Sequence, residues 1–380
     1  MFRSFKYRLY PNRQQQEQLT AMLGAFCDLY NAGLQQRIEA YRRQGLALGY
    51  VQQANELKAT RVADERLAGF SYSAEQQILR RLDKAFRAFF RRLKTTAKAG
   101  FPRFQAKSRF DSAEFRVGDG LTIRKNNRLG LVGIPGQIKV KWHRTLPAEA
   151  KVGAAVISRS CGKWYVCFQI ELPDVEIAQR NSPAIGIDVG LSSLIATSDG
   201  ETVNAPRWTR KAAKKQRRLQ RALARCRRNS KRRLKVKRNL ARHSASTANR
   251  RRDFLHKLSR SLVDRYTLIA IEDLNVERLA RSMLAKSVHD AAWGQLRQFL
   301  TYKAESAGSE VIAVDPRGTS QVCSECGCSV PKTLAERWHD CPECGYSANR
   351  DVNAARNVLL RASLLRPGTG LGAPSVPVAA

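Results

Sequence analysis

The chain opens on an alternation: in FKYRLYP, Phe5, Tyr7 and Leu9 take one side and Lys6 and Arg8 the other, a period of two that predicts a half-buried strand stopped at Pro11. The period then changes. Asn12 stands where a helix cap is needed, and Leu19, Leu23, Phe26, Tyr30 and Leu34 recur at spacings of three and four, which predicts one long amphipathic helix. Another helix is expected from Ser73, where Ser73-Ala74-Glu75-Gln76 has the form of a capping box and Ile78, Leu82, Phe86, Phe89 and Leu93 make an apolar stripe. From Gly100 the texture shifts to short β segments, joined by turn signals at Lys125-Asn126-Asn127 and Cys161-Gly162-Lys163. Residues 1–10 and 100–180 therefore read as one β-rich domain, interrupted by a helical insertion at 11–99.

The second half starts again with a buried strand. Ala184-Ile-Gly-Ile-Asp-Val-Gly190 and Leu268-Ile-Ala-Ile-Glu-Asp-Leu274 are both apolar runs that end in acid. Between them, from Arg207 to Arg260, stand 23 Lys and Arg and one acid, Asp253, in 54 residues. Leu219, Leu223 and Leu234 and the absence of proline predict helices there, with a break at Ser244 to Thr247 as one option. A merely solvated helix face would need acids for i,i+4 pairing, and they are missing, so this run is expected to contact phosphates. After Leu365, RPGTGLGAPSVPVAA offers no core-forming pattern, and 366–380 is expected to be a disordered tail.

Composition sharpens the choice of partner. At 380 residues the chain is long enough for two or three domains, and its 43% hydrophobic content permits packed cores. Its net charge of +36 repels itself unless a polyanion neutralises it, which makes nucleic acid the expected partner. An anionic membrane is the rival, but the basic run carries Trp208 and Phe254 with little apolar surface between them, so no membrane partner is expected. No apolar run reaches the ~18 residues a spanning helix needs, and the N-terminus lacks a signal-peptide core, so a cytosolic protein is expected. In that reducing setting the nine cysteines point to metal rather than disulfides.

Four of those cysteines, Cys323, Cys326, Cys341 and Cys344, form C-x2-C-x14-C-x2-C. Each knuckle sets two thiolates on one side of an ion and two knuckles close a tetrahedron, so one structural Zn2+ is expected, with Cys328 and His339 as bystanders. Asp188 and Glu272 close apolar strands where a carboxylate has no packing role, and burial without a partner is costly; Asp273 is the alternative to Glu272. Asp351 opens the helix-forming stretch Asp-Val-Asn-Ala-Ala-Arg-Asn-Val-Leu-Leu, where alone it would read as a first-turn acid. Together the three suit a pair of divalent cations, whose chemistry is to activate water and stabilise the leaving oxygen of a phosphodiester.

The order of Gly-Ile-Asp-Val-Gly, Ile-Glu-Asp-Leu, the paired knuckles and Arg-Asp-Val-Asn-Ala-Ala-Arg-Asn resembles the TnpB family, transposon-encoded RNA-guided endonucleases related to the compact CRISPR type V effectors. Tyr-Arg-Leu-Tyr-Pro near the start, Gly-Phe-Pro-Arg-Phe at 100–104 and Asp253-Phe-Leu-His-Lys-Leu-Ser extend the similarity over nearly the whole chain. The resemblance implies a multidomain α+β fold. In it, a β-barrel wedge domain with a helical recognition insertion precedes an RNase H-like (RuvC) nuclease domain at 181–322 and 345–365, with a zinc ribbon inserted at 323–344.

It further implies Asp188, Glu272 and Asp351 as ligands of two Mg2+ ions, a guide RNA from the transposon end, double-stranded target DNA cut beside a short flanking motif, and a monomeric protein component. Base pairing would select the sequence. Tyr50, Gln76 and Arg116 are the flanking-motif readers that the resemblance suggests. One position departs from the family: an aspartate is frequent two residues before the last catalytic one, and here it is Asn349, which puts the metal affinity in question. Two other functions compete, an RNA-guided repressor without cleavage and a DNA-binding protein that assists transposition without RNA. Intact carboxylates argue against the first; tightly bound RNA would argue against the second.

Overall fold

The computed structural model describes residues 2–95, 98–124, 126–173, 182–333 and 335–365, so the tail expectation for 366–380 falls outside it. Two compact units divide the chain near residue 175. The first begins with β1 (Phe2–Tyr10), α1 (Arg13–Gln44), α2 (Tyr50–Ala63), α3 (Glu65–Ala68) and α4 (Tyr72–Leu93). It continues with β2 (Ser112–Val117), β3 (Gly120–Ile123), β4 (Arg128–Leu131), β5 (Gln137–Lys141), β6 (Lys151–Ser160) and β7 (Lys163–Glu171).

The seven strands close into a barrel in the order β1-β5-β4-β3-β2-β6-β7. β1 sits between β5 and β7, with Leu9 opposite both Val140 and Trp164. The period of two explains the closure. Tyr7, Leu9, Phe115, Ile138, Val166 and Phe168 are buried while their neighbours in sequence are not, and a closed barrel leaves no edge to protect.

Asn12 and Gln15 form the reciprocal cap of α1, Asn12 Oδ1 accepting from the Gln15 N–H at 2.8 Å and Gln15 Oε1 from the Asn12 N–H at 3.1 Å. The cap expected at Ser73 lies two residues earlier. Ser71 has the extended backbone a cap requires and accepts from the Ala74 N–H. Ser73 Oγ donates to the Asp119 carbonyl instead, and the residue three beyond Ser71 is Ala74, which has no side-chain acceptor to return a bond, so no reciprocal box forms.

The second unit contains β8 (Ala184–Asp188), β9 (Ser193–Thr197), β10 (Thr202–Asn204), α5 (Trp208–Ala224) and α6 (Lys231–Arg265), then β11 (Leu268–Glu272), α7 (Val276–Leu279), α8 (Ala285–Ala291), α9 (Trp293–Glu305), β12 (Glu310–Val314), β13 (Trp338–Asp340), β14 (Ser347–Asn349) and α10 (Arg350–Leu364). Its main sheet runs β10-β9-β8-β11-β12, with β8, β11 and β12 parallel. The break considered at Ser244–Thr247 is absent: α6 is one helix of 35 residues, and the interruption lies at 225–230, where Asn229 adopts φ 64° and Ser230 caps α6. Thr247 lies inside the helix and donates its hydroxyl to the His243 carbonyl one turn back.

Side-chain parity sorts the sheet's two faces. Ile185 and Ile187 of β8 and Ile269 and Ile271 of β11 join Leu255, Leu262, Leu296 and Phe299 of α6 and α9 in one core. Ala270 packs on the other face with Val314, Val358 and Ala362, beneath α10. No helix among the described residues is long and apolar enough to cross a membrane.

Candidate metal centres and a basic groove

Asp188 and Glu272 inherit their direction from that parity. Counting by twos from Gly186 and Ala270, each points from its strand end toward the face covered by α10, away from the isoleucine core. Parallel pairing sets Ile187 level with Ile271, so the two acids that come next are neighbours. The residues before them on that face are glycine and alanine because the helix comes close. A Cβ on Gly186 would stand 2.0 Å from the Ala355 carbonyl oxygen.

α10 delivers the third acid in its first turn. Asn349 is at once the last residue of β14 and the cap of α10, its Oδ1 accepting from the Asp351 N–H at 2.9 Å. The residue that departs from the family pattern therefore has a local task that a short polar side chain performs. Arg350 clamps the same turn. Its Nη1 donates to the Glu336 carbonyl at 3.0 Å and its Nη2 lies 3.5 Å from Asp351 Oδ1.

The electrostatics are those of acids crowded out of water. Burial, and then the charges of Glu272 and Asp351, hold the Asp188 carboxyl well above the usual carboxylate range, against the pull of Arg350. Burial also raises Glu272, although Thr319 donates its hydroxyl to Oε1 at 2.8 Å and favours the charged form. Such a cluster of hard oxygen donors wants positive charge, and it matches what Mg2+ takes as ligands.

Ahead of α10 the four knuckle cysteines converge. The sulfurs of Cys323, Cys326, Cys341 and Cys344 all lie within 4.8 Å of one another. Cys341 is lowered to about 6, chiefly by the backbone N–H of Cys344. Cys328 donates to the Ser329 carbonyl and His339 is buried beside Lys332, both outside the cluster.

The basic run forms two helices rather than a tail. α5 buries none of its residues and α6 buries only Leu255, Ser259, Leu262 and Val263 toward its C-terminal end. A groove of about 1590 Å³ runs along α5, from Ser192 just past β8 to Lys286 and to Arg337 of the ribbon. Eleven Lys and Arg line it against one acid, Asp290, whose carboxylate is spent on Thr209 and Arg251.

In the first unit, Tyr50 opens α2 with the Arg80 guanidinium 4.8 Å from its ring centre, and Arg80 lies one turn along α4 from Gln76. Arg116 is exposed on β2, paired with Gly120, which packs on Ser71 and Ser73 at the start of α4. Sequence reasoning overlooked Thr319, Asn353 and Asn357. Asn353 exchanges hydrogen bonds with the Ser324 N–H and the Val322 carbonyl, and Asn357 donates to the Thr319 and Val322 carbonyls. The signal was there: two asparagines four apart on the buried face of a helix, among Ala354, Ala355 and Val358.

Comparison with known proteins agrees across the chain. Residues 293–358 match the family described as Cas12f1-like, TNB domain; residues 167–283 match OrfB_IS605, described as probable transposase; and residues 1–45 match its helix-turn-helix domain, here folded as β1 and the single helix α1. A protein of Streptomyces pristinaespiralis is 34% identical, covering 94% of this chain and 88% of its own, and one of Escherichia coli is 32% identical, covering 94% and 91%. Both bear the name "Putative RNA-guided DNA endonuclease", the second with the suffix InsQ. Among solved structures, that of a Cas12f1-sgRNA-target DNA complex shares the fold at TM-score 0.57 and 13% identity, covering 94% of this chain and 98% of that one.

Proposed function

The chain belongs to the TnpB/OrfB family, and from that membership we propose that it is an RNA-guided DNA endonuclease with one catalytic centre, built from Asp188, Glu272 and Asp351. The observation that carries this reading is the convergence of three carboxylates, Asp188 and Glu272 at the neighbouring ends of the paired strands β8 and β11 and Asp351 in the first turn of α10, the helix packed on that face of the sheet.

These residues would hold two Mg2+ ions, which when bound supply an activated water and charge stabilisation for the leaving oxygen. The protein's own part is positional. Parallel register aligns Asp188 with Glu272, the Asn349 cap orients the turn bearing Asp351, and the isoleucine core behind the strands keeps the ends rigid. α5 and α6 bind sugar-phosphate backbone, and the groove beside Ser192 leads a strand toward the carboxylates.

In this reading the second unit is an RNase H-like (RuvC) nuclease at 181–322 and 345–365 whose ribbon, at 323–344, is folded by one Zn2+ on the four cysteines. The barrel at 1–10 and 100–180 serves as the wedge and 11–99 as the recognition domain. Tyr50, Gln76 and Arg116 face the flanking motif. The guide RNA comes from the transposon end, one protein chain serves each particle, and it works in the prokaryotic cytoplasm.

The test is to express the gene with its downstream flank, sequence the RNA that purifies with the protein at high salt, and assay a plasmid carrying the matching target. A discrete RNA and Mg2+-dependent cutting that Asp188→Ala abolishes are expected. RNA-free protein, or cutting that survives Asp188→Ala, overturns the reading.

A further inference from the structure

Thr319 lies in the turn between β12 and the first cysteine knuckle, and it is buried. β12 pairs with β11 so that Val314 is level with Glu272; the chain then turns through Asp315–Gly318, with Gly318 at φ 74°, and brings Thr319 back over the end of β11. Its Oγ1 is 2.8 Å from Glu272 Oε1 and 3.0 Å from the Pro316 carbonyl oxygen. A hydroxyl has one proton to give, and an ionised Glu272 is the stronger acceptor of the two.

The turn itself is anchored on both sides. Asn357, buried in α10, donates to the carbonyls of Thr319 and Val322. Asn353, fully buried one turn earlier, accepts from Ser324 and donates to Val322, locking the approach to Cys323. Arg361 of the same helix donates to the Asp315 carbonyl. The helix that carries Asp351 thus also fixes the hydroxyl that touches Glu272.

We propose that Thr319 is a positioning residue for Glu272: its hydroxyl holds the carboxylate in the orientation that binds the catalytic divalent cation. This rests on the reading of Asp188, Glu272 and Asp351 as the metal site. Outer partners of this kind fix the direction and basicity of a metal-ligating carboxylate, and their loss typically weakens metal affinity about 10- to 100-fold. A valine keeps the shape of threonine and removes the hydroxyl; a serine keeps the hydroxyl and removes the methyl.

The experiment titrates Mn2+ alone into the full-length, zinc-replete protein and counts bound ion by electron paramagnetic resonance. Wild type is compared with Thr319→Val, Thr319→Ser and Asp188→Ala. Sites present in wild type and lost in Asp188→Ala define the catalytic centre. At those sites Thr319→Val should bind about 10-fold or more weakly, with Thr319→Ser near wild type and an unchanged melting temperature without metal. Thr319→Ala is read in the same way if valine prevents folding. Wild-type affinity in the hydroxyl-free variant, or equal weakening in Thr319→Ser, overturns the role of Thr319 and leaves the metal site standing. The absence of any Asp188-dependent Mn2+ site in wild type overturns the site and the inference with it.

Discussion

A methyl group on Gly186 of β8 would stand 2.0 Å from the carbonyl oxygen of Ala355 in α10, and 2.8 Å from Leu359 Cβ. Because the first obstacle is backbone, no rotamer change relieves it. Gly186→Ala should push α10 off the sheet and carry Asp351 with it, at a cost of about 1–3 kcal/mol. A lower melting temperature together with a weaker response of cleavage to Mg2+ is expected. A variant that melts and cuts like wild type would mean that the helix is less tightly seated.

That contact shows what sequence could tell and where it stopped. Asp188 and Glu272 stand out because an acid ends each apolar run, and the cysteine knuckles because their spacing is itself a geometry. Of the barrel strands, β1 was legible from its period of two and the later ones as short β segments between turn signals, while their closure into a barrel came from the resemblance alone. What brings the acids face to face is the registry of two strands 84 residues apart, Ile187 level with Ile271, which no local pattern encodes. Thr319 and Ser71 escaped for a related reason. Each acts through a turn whose direction is set by distant partners, Asn357 for Thr319 and the Gly120 region for Ser71.

Glu75 should give the first unit a pH dependence of its own. Burial raises its carboxyl from 4.5 to about 7, the hydrogen bond and charge of Arg61 opposing without cancelling, and Oε1 is buried with no hydrogen-bond partner among the described residues. The native state then keeps a proton that the unfolded chain releases. Stability from this group is fully present below pH 4.5 and is lost as pH rises toward 7. Glu75→Gln cannot ionise, so chemical denaturation between pH 5 and 7 should show a flatter slope in the variant. An unchanged slope would assign the dependence elsewhere.

Zinc removal should be felt beyond the ribbon. The cysteine cluster lies between two segments that hold the acids, Thr319 to Ser324 on its entry and Asn349 to Asp351 on its exit. Structural zinc in peptide sites contributes about 10–16 kcal/mol of apparent binding energy, more than most domains have to spare. Cys341→Ser should reduce zinc from one ion per chain to less than half by elemental analysis. It should also open the 319–351 segment to protease while the barrel stays resistant. Full zinc content in that variant would point to other ligands.

The groove along α5 makes a quantitative claim about salt. Arg210, Arg217 and Arg221 line it on a helix that buries no residue, so exchanging them for glutamine, a good helix former, should leave the fold intact by circular dichroism. Each phosphate contact adds about 0.9 to the slope of log K against log salt on duplex and about 0.7 on single strands. The triple variant should therefore bind nucleic acid more weakly at all sequences, with a slope shallower by about 2 to 3. The two readouts separate the explanations. A fall in affinity at constant slope would mean altered shape rather than lost phosphate contacts, and no change in either would remove α5 from the binding surface and leave α6 to carry the charge.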